Sequence, residues 1–592
     1  MFLRQTRRKK DGKTHVYWNI VENRRLNDGR VVQRQVLYLG EIHSSQAAAW
    51  RKAIEVLDTA SGEPRTLALF PQDRCEAVAD DAGVVRLCLS ALTLQRPRQW
   101  GACWLSGQLW RELQLDRFWA ERLPPSRKRT RWDQILQVLV AYRLIAPGSE
   151  WKLHRAWFGN SAMADLLGGD FGLAEAHKLY ACHDRLLAHK DALFAHLVGR
   201  WRDLFNASFD VLLYDLTSTY FEIDAAALPD GDKRRHGYSR DHRRDCPQVV
   251  IALVVTPEGL PLAYEVLPGN TKDDQTLQQF LAKIERQYGK ARRVWVMDRG
   301  IPTEAVLAEM RASDPPVHYL VGTPKGRLTR LEKLLLDKPW QEVRQGVRVK
   351  LLAQDAEFYV FAESADRVLK ERAMRRRQLK WLWRRLNELA AMKLTREELL
   401  MKLGAARTTA TLAWRLVDIT VDKASARFTL ALNRTKLRQI RRREGRYLLR
   451  TNLTEGDPAT LWQYYIQLVA VEEAFKNLKA DLAIRPVFHQ QERRIEAHIF
   501  IAFLAYCLYI TLQRRLHALA PGLSARSALE KFAAVQMIDV HVPTTDGREL
   551  LLTRYTQPEP ELQLLIGQLK FQLPPQPQPR ITTSNQPRQP LP

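Results

Sequence analysis

The sequence predicts a multidomain protein with an α/β layer between two helical regions. Its 592 residues are more than one hydrophobic core organises, so we expect three or more domains. Short apolar runs alternate with amphipathic segments between residues 209 and 321, which indicates strands and helices in alternation. Apolar residues recur at helical spacing from about 85 to 205 and from 453 to about 540, which predicts helices in both regions.

The charge balance favours a polyanionic partner. The chain has 92 Lys and Arg residues against 66 Asp and Glu residues, a net charge of +26. Basic side chains gain free energy by releasing the counterions condensed on nucleic-acid phosphates, so a nucleic acid is the expected partner. The alternative is a basic but inert surface. A hydrophobic content of 45% excludes a mostly disordered chain.

Neither export nor membrane insertion is indicated. The six cysteines include no CxxC pair, so neither a zinc ribbon nor a disulfide scaffold is expected. The basic N-terminus has no apolar segment of the kind found in secretory signals. The longest apolar run, 499–512, has 14 residues, short of the roughly 20 needed to span a bilayer, and predicts a buried helix. We therefore expect a cytoplasmic, nucleoid-associated protein.

The α/β layer has a recognisable order. The predicted strands are 209–214, 248–256, 260–267, 293–297 and 317–321, with helices at 277–284 and 303–311. The turn Pro257-Glu258-Gly259 joins the second and third strands. Three strands, a helix, a strand, a helix and a strand is the order of the ribonuclease-H-like fold.

Six segments are predicted along the chain. They are an N-terminal β-hairpin module (1–62), a helical and DNA-binding domain (63–205), the first part of a ribonuclease-H-like catalytic core (206–323), a mixed β/α insertion domain (324–452), the helical second part of the core (453–571) and a disordered Pro/Gln-rich tail (572–592). The hairpin turns at 27–29, and the insertion contains a long basic helix near 372–392. That helix is either a solvated face or a DNA contact.

Two aspartates follow predicted core strands. Asp215 ends the first strand and Asp298 ends the fourth. Either one alone is explained as a helix N-cap or a loop-capping residue. In a sheet where these strands are neighbours, both carboxylates project at adjacent strand ends. Two carboxylates so close repel each other unless divalent cations lie between them.

A third acid is predicted on a helix spanning about 462–482. Tyr465, Leu468, Glu472 and Lys479 are spaced by 3, 4 and 7 residues and so share one helix face. An acid between a tyrosine and a lysine suits metal binding combined with phosphate holding. Glu and Lys are also common on any helix surface, so an ordinary solvated face is the alternative.

These segments resemble the DDE transposases of the insertion sequence 4 superfamily, and in particular its insertion sequence 1634 branch. The resemblance lies in residues 214–221, 237–243, 259–265, 268–271, 298–300, 472–479, 485–489 and 494–498. It implies that Asp215, Asp298 and Glu472 are the catalytic, metal-binding triad. The superfamily's helix signature is matched by Tyr465, Glu472 and Lys479, whereas its arginine position is Leu468. The adjacent Glu473 is the main ambiguity in the triad.

The resemblance also implies an activity and partners. Two Mg²⁺ ions, for which Mn²⁺ substitutes, are expected to support strand cleavage at the ends of a bacterial insertion sequence and strand transfer into target DNA. The expected partners are double-stranded DNA and a second copy of the chain, with no membrane. The expected DNA-contacting residues are Tyr465, Lys479, Lys476, Arg485, His242 and Arg243.

Three competing functions remain open from the sequence. The first is a metal nuclease on the same fold that cuts DNA without joining it. The second is a catalytically inactive or domesticated DNA-binding protein, against which the intact triad argues. The third is a serine or tyrosine recombinase using Ser218 or Tyr465, which ranks last because no cluster of catalytic arginines surrounds either residue.

Overall fold

The computed structural model describes most of the chain beyond residue 90. The described residues are 2–10, 13–25, 31–40, 87–88 and 91–583, except 224–227, 230, 240–242, 272–279, 287–292, 299–301, 324–330, 332–333, 335–337, 355–356, 423–424, 454–456, 483, 486, 488 and 545–546.

Eighteen strands are present in these residues. They are β1 (Phe2–Lys10), β2 (Lys13–Arg25), β3 (Val31–Gly40), β4 (Thr93–Gln99), β5 (Val211–Tyr220), β6 (Gln248–Val255), β7 (Pro261–Pro268), β8 (Val294–Met297), β9 (His318–Gly322), β10 (Gln341–Arg344), β11 (Val347–Gln354), β12 (Glu357–Ser364), β13 (Val417–Val421), β14 (Phe428–Leu432), β15 (Arg446–Thr451), β16 (Gln536–Pro543), β17 (Arg548–Tyr555) and β18 (Arg580–Thr583).

The main helices are α1 (Gly101–Glu112), α2 (Leu115–Arg122), α3 (Trp132–Ile145), α4 (Ala176–Leu186), α5 (Lys190–Phe205), α6 (Glu304–Ala312), α7 (Ala365–Ala391), α8 (Arg396–Thr409), α9 (Arg434–Arg442), α10 (Pro458–Ile466), α11 (Leu468–Lys476), α12 (Glu492–Leu519), α13 (Ala525–Phe532) and α14 (Pro560–Gln568). Shorter helical segments are Glu150–Lys152, Leu153–Trp157, Phe158–Asn160, Met163–Leu167, Phe171–Leu173, Leu187–His189, Thr411–Trp414 and Asn477–Asp481.

The chain divides into two compact units. The first consists of Met1–Thr6, Val16–Arg293 and Gln467–Pro592, and the second of Arg7–His15 and Val294–Ile466. Within the first unit, β2 pairs with β3 from Trp18 to Arg25, which confirms the predicted N-terminal hairpin. Its predicted turn at 27–29 lies outside the described residues.

The first unit contains an antiparallel meander of β5, β6 and β7. Every residue of β6 is buried, because β5 and β7 pair with its two edges and α11 packs against it. Gly259, with φ +84°, makes the turn into β7, a backbone conformation that glycine adopts without a Cβ penalty. The predicted strands 248–256 and 260–267 are therefore confirmed to within two residues.

The helical core of the first unit surrounds α12. This helix packs against α1, α3, α4 and α13. It is the one helix among the described residues that is long and apolar enough to cross a membrane, and 94% of its apolar window is buried inside the protein. That burial confirms the predicted buried helix at 499–512.

A C-terminal sheet closes the first unit in the order β18-β17-β16-β4. The predicted helical region ends at Phe532 rather than near 540, because β16 begins at Gln536 and pairs with β4 and β17. The prediction of a disordered tail from 572 is wrong for β18, which pairs with β17. Backbone pairing orders this segment although it has few apolar side chains.

The second unit begins with a parallel pair. β8 and β9 are parallel and α6 lies between them in sequence, as the sequence predicts. β15, β12, β11 and β10 continue from β9 with antiparallel pairing. α7 and α8 pack with the β13–β14 hairpin around Leu382, Leu386 and Leu403, so the long basic helix has its own apolar core.

Candidate active site

Asp215 lies in the middle of β5, not at its end. The strand continues to Tyr220, so the predicted position of Asp215 at a strand terminus is wrong. The polar residues Thr217 to Thr219 stay in the strand because they pair with β6. From Val211 to Thr219, Asp215 is the one residue that is not fully buried. Its Oδ1 accepts a hydrogen bond of 2.8 Å from the Leu216 amide.

Asp298 directly follows β8. All four residues of β8 are buried, whereas Asp298 is exposed. A strand of apolar residues thus delivers a carboxylate to the surface of the second unit at its C-terminal end. This is the position that the sequence predicts for Asp298.

Glu472 lies on α11 in the first unit. This helix packs against β5, which carries Asp215, and against β6. Leu468, Glu472 and Phe475 are spaced by 4 and 3 residues and share a helix face. Leu468 and Phe475 are 8% and 6% exposed, whereas Glu472 is exposed. Glu472 therefore borders the buried face of the helix.

The predicted continuous helix at 462–482 is interrupted. α10 ends at Ile466, α11 begins at Leu468, and a π-helical turn follows at Asn477–Asp481. Tyr465 lies on α10 in the second unit and stacks on Tyr447 with 5.8 Å between the ring centroids. Because these breaks change the rotation per residue, the predicted single face for Tyr465, Leu468, Glu472 and Lys479 is wrong.

The position of the signature arginine, occupied here by Leu468, lies on the buried face of α11. Its side chain is 8% exposed and is part of the apolar face that α11 turns toward the sheet. A guanidinium buried there without a partner costs several kcal/mol, roughly as for any isolated buried charge. Lys476, three residues beyond Glu473, is exposed, and Lys479 is half-buried in the π-helical turn.

Tyr220 lies between two arginines. The guanidinium carbons of Arg243 and Arg485 are each 4.9 Å from its ring centroid. Arg243 also donates to Glu222 Oε1 at 2.9 Å and to Asp245 Oδ1 and Oδ2 at 3.0 and 2.9 Å. These bonds raise the pKa of Arg243 above its ordinary value. The predicted contact residue His242 lies outside the described residues.

The comparisons with known proteins identify the family. Residues 217–508 match the transposase DDE domain, and residues 3–67 match the N-terminal domain of the IS1634 family transposases. The first match begins two residues after Asp215 and spans Asp298 and Glu472. The chain is a DDE transposase of the IS1634 family. The predicted family and enzyme class are thereby confirmed. As a transposase, the protein acts on DNA.

Other comparisons add little to this assignment. A comparison with curated proteins gives no match. A solved structure that resembles the transposase is the cryo-EM structure of a piggyBac transposase synaptic complex with hairpin DNA. It is 9% identical with a TM-score of 0.32, over 73% of this chain and 79% of that chain. A likeness at this level does not establish a shared fold.

This transposase also contains a buried cluster of one glutamate and three histidines that is not among the predicted site residues. Glu150, His183, His489 and His498 are each less than 7% exposed, and their ligand atoms lie within 4.8 Å of one another. Burial, and then the charge of Arg143, lower the pKa of His498 to about 4, so its ring is neutral at neutral pH. The pair His489 and His498 is part of the family resemblance, but nothing in the sequence places Glu150 and His183 beside it.

Proposed function

We propose that Asp215, Asp298 and Glu472 form the catalytic triad of a ribonuclease-H-like core in this transposase. The observation that carries the proposal is the packing of α11 on β5 and β6. It brings the helix of Glu472 against the strand of Asp215. Asp215 is partly exposed, whereas its neighbours on both sides in β5 are buried. Asp298 ends the first strand of a parallel pair, where α/β folds commonly place functional side chains.

The donor set fits Mg²⁺. All three side chains offer carboxylate oxygens, the ligands that hard divalent cations prefer. Asp215, Asp298 and Glu472 would hold two Mg²⁺ ions, or Mn²⁺ in their place, whose charge would help to activate the attacking oxygen and to stabilise the leaving one. The carboxylates of the chain hold and orient this charge at the scissile phosphodiester. The same residues then serve cleavage at an element end and joining of the freed 3′-OH to target DNA.

Glu472 is a better third acid than Glu473. Glu472 shares its helix face with Leu468 and Phe475, which are buried, so its carboxylate borders the face that packs on β5. Glu473 lies about 100° further round the helix. Its charge contributes, after burial and Asp481, to raising the pKa of Tyr509 on α12. This neighbourhood supports a structural role for Glu473.

We propose that basic side chains near these acids contact the DNA phosphates. Lys476 is exposed on the helix of Glu472, and Arg485 is held over Tyr220 at the end of β5. We assign both to phosphate contacts, together with Lys479, Tyr465 and His242. Arg243 is already bound to Glu222 and Asp245, so a phosphate contact at Arg243 requires that one of these carboxylates be exchanged.

The remaining parts of the proposal concern domains and assembly. Residues 63–205 are assigned to recognition of the element ends, residues 324–452 to an insertion in the core, and residues 1–62 to a separate N-terminal module. A homodimer is expected because two element ends must be paired, and its place in the cell is expected to be the nucleoid. Deleting 63–205 should abolish sequence-specific binding, measured by competition with unrelated duplex DNA. Because α1, α3 and α4 pack on α12, circular dichroism must show that the remaining chain is folded.

The testing experiment compares two adjacent glutamates. Labelled element-end DNA is incubated with Mg²⁺ and wild type, Glu472→Gln or Glu473→Gln, and both 3′-OH ends and joined products are quantified. We expect Glu472→Gln to lose at least about 100-fold in rate, since changing a residue that only hydrogen-bonds to a metal ligand typically costs 10–100-fold. Glu473→Gln should stay within a few-fold of wild type, and DNA binding should survive in both.

Each contrary result has a defined meaning. Cleavage that persists in Glu472→Gln removes Glu472 from the triad. Loss in Glu473→Gln but not in Glu472→Gln exchanges the two acids. Cleavage without joined products supports a metal nuclease instead, and binding of element ends by the wild type without any cleavage contradicts the catalytic proposal for this chain.

A further inference from the structure

One carboxylate oxygen in the first unit is surrounded by three imidazoles. Glu150 Oε1 lies 3.3 Å from His183 Nε2, 3.2 Å from His489 Nε2 and 3.3 Å from His498 Nδ1. All four side chains are at least nine-tenths buried. We call Glu150, His183, His489 and His498 the histidine cluster. It lies outside the triad, and its chemistry does not depend on the proposed function.

The outer nitrogens of two rings fix their tautomers. His183 Nδ1 lies 2.9 Å from the Leu179 carbonyl oxygen, and His498 Nε2 lies 3.3 Å from the Ile484 carbonyl oxygen. A carbonyl accepts only, so in the neutral form that a metal-binding imidazole takes, the proton of each ring is on this nitrogen. The opposite nitrogens, His183 Nε2 and His498 Nδ1, then present lone pairs toward Glu150. Among the described residues, His183 Nε2 has no hydrogen-bond partner.

Imidazole nitrogen lone pairs repel a carboxylate oxygen, so a cation between them stabilises this arrangement. Imidazole nitrogens whose other N–H is held by a backbone carbonyl are the usual arrangement of histidine ligands to zinc. Metal–ligand distances of about 2.0–2.1 Å in a tetrahedron correspond to ligand–ligand edges of about 3.3–3.4 Å. The three edges that meet at Glu150 Oε1 measure 3.2, 3.3 and 3.3 Å, and all four ligand atoms lie within 4.8 Å of one another.

We infer that the histidine cluster binds one Zn²⁺-type ion through Glu150 Oε1, His183 Nε2, His489 Nε2 and His498 Nδ1. Three imidazoles and one carboxylate suit zinc and neighbouring transition metals, whereas Mg²⁺ prefers oxygen ligands and retained waters. Four protein ligands in a buried position are typical of a closed, structural site. The ion therefore differs from the catalytic Mg²⁺ in both chemistry and place.

Arg143 is the competing cation at this site. Its Nη2 lies 3.4 Å from His498 Nδ1 and 4.0 Å from Glu150 Oε1. Binding of the ion exchanges the Arg143 contact at His498 Nδ1 for a metal bond. Because Arg143 also pairs with Glu150 Oε1, the ion takes over the positive charge that Arg143 supplies at both atoms.

The ligands come from distant parts of the chain. Glu150 follows α3 and His183 lies on α4, whereas His489 precedes α12 and His498 lies on it. One ion thus joins the helical region before the catalytic strands to the long helix after them. Its expected effect is stability of the first unit, with no direct part in cleavage.

The test measures metal content in a background without catalytic acids. The double variant Asp215→Asn, Glu472→Gln is stripped with EDTA, incubated with Zn²⁺, desalted and analysed by elemental mass spectrometry. We expect about one Zn²⁺ per chain, as in other closed four-ligand sites. Adding Glu150→Gln or His183→Gln should remove it. His196→Gln is the matched control, because His196 also bonds a backbone carbonyl, that of Leu113 at 2.8 Å, but lies outside the cluster.

A second measurement does not depend on whether the Glu150 and His183 variants fold. Co²⁺ alone, added to the stripped double variant, should give the intense visible absorption of a tetrahedral site, and Zn²⁺ should abolish it. Absence of bound Zn²⁺ in the double variant, or retention of Zn²⁺ when Glu150 or His183 is changed, overturns the inference. Loss of cleavage in the triad variants bears only on the proposed function, so the two failures are distinguishable.

Discussion

Arg98 and Asp539 form a buried ion pair between β4 and β16. Arg98 Nη1 and Nη2 donate to Asp539 Oδ2 and Oδ1 at 3.0 Å each, and both residues are 2–3% exposed. Arg98 also donates to Asp165 at 2.9 and 3.2 Å. We predict that Arg98→Met strongly destabilises the first unit, because it leaves the Asp539 carboxylate buried with fewer donors.

The expected loss follows from what remains at Asp539. Removing one member of a buried pair typically costs about 3–5 kcal/mol. Thr553 still donates to Asp539 at 2.9 Å, and Arg96, with a side chain 66% exposed, at 3.1 Å. We therefore expect the lower end, about 3 kcal/mol. The first unit has some 410 residues, so with an unfolding entropy of about 2.1 cal/mol/K per residue the melting temperature should fall by about 3–4 °C.

Tryptophan fluorescence during heating is a suitable assay. Trp100 stacks on Tyr555 of β17 with 4.1 Å between the ring centroids, so separation of this sheet changes its emission. Arg131→Met is the matched control: Arg131 also forms a two-bond pair, with Asp133 at 3.2 and 2.8 Å, but its side chain is 47% exposed. Exposed pairs contribute about 0–1 kcal/mol. Equal shifts in the two variants would refute the reasoning.

The same pair predicts a pH dependence. Burial alone would raise the pKa of Asp539, but the hydrogen bonds from Arg98 and Thr553 outweigh it and hold the pKa below its usual value. A carboxyl whose pKa is lower in the folded state stabilises the fold above the unfolded pKa of about 3.9. This stabilisation is lost as the pH falls through the folded pKa. The gap between wild type and Arg98→Met should therefore be full at neutral pH and shrink below about pH 4.

Two further predictions concern packing. A Cβ on Gly269 would lie 1.9 Å from the Gln248 carbonyl oxygen, so Gly269→Ala should cost at least about 1–3 kcal/mol. Gly199 on α5 has open space around it, so Gly199→Ala should instead stabilise the protein by about 1 kcal/mol. Both changes are measured by urea unfolding. A Gly269→Ala variant as stable as wild type would contradict the close approach at Gly269. Leu386→Ala, at a fully buried position of α7, should cost about 2–5 kcal/mol and speed proteolysis of the insertion. Leu369→Ala on the same helix, 40% exposed, should change stability by less than about 0.5 kcal/mol, and similar proteolysis rates in both would exclude a separate core there.

The sequence predicts the α/β layer well where apolar runs are uninterrupted. β6 and β8 contain no polar residue after Gln248, so their bounds follow from composition alone. β5 was harder because its second half, Thr217 to Thr219, is polar and yet buried. Backbone pairing with β6 keeps these residues in the strand, so their polar side chains do not mark its end. This is why the sequence predicts Asp215 at a strand end that the structure does not have.

Backbone irregularity limited the prediction of the third acid. The spacing of Tyr465, Glu472 and Lys479 assumes 3.6 residues per turn throughout. The break at Gln467 and the π-helical turn at Asn477–Asp481 leave no trace in hydrophobic periodicity. Glu472 itself is unaffected, because its own turn, from Leu468 to Phe475, is regular. The histidine cluster was beyond prediction because its members are brought together only by tertiary packing.

Several ion pairs lie at the N-terminal end of α12. The helix is buried over nearly its whole length by apolar residues, and hydrophobic burial is non-directional, so it does not fix the rotation or axial position of the helix. Ion pairs at the N-terminal end of α12 fix its rotation and axial position. Arg494 donates to both oxygens of Asp184 at 2.9 and 2.8 Å, and Glu496 accepts from Lys190 and Lys233 at 3.3 Å each.

These contacts restrict α12 to one register against α4, α5 and the loop before β6. A shift by one residue rotates the helix by about 100° and removes every such pair at once. The register of α12 in turn fixes where the preceding segment, and with it α11, meets β5. The ion pairs at Asp184 and Glu496, together with the metal proposed at His498, are expected to position the proposed third acid Glu472 without touching substrate. Their loss should therefore lower the cleavage rate and stability together, whereas loss of Glu472 lowers the cleavage rate alone.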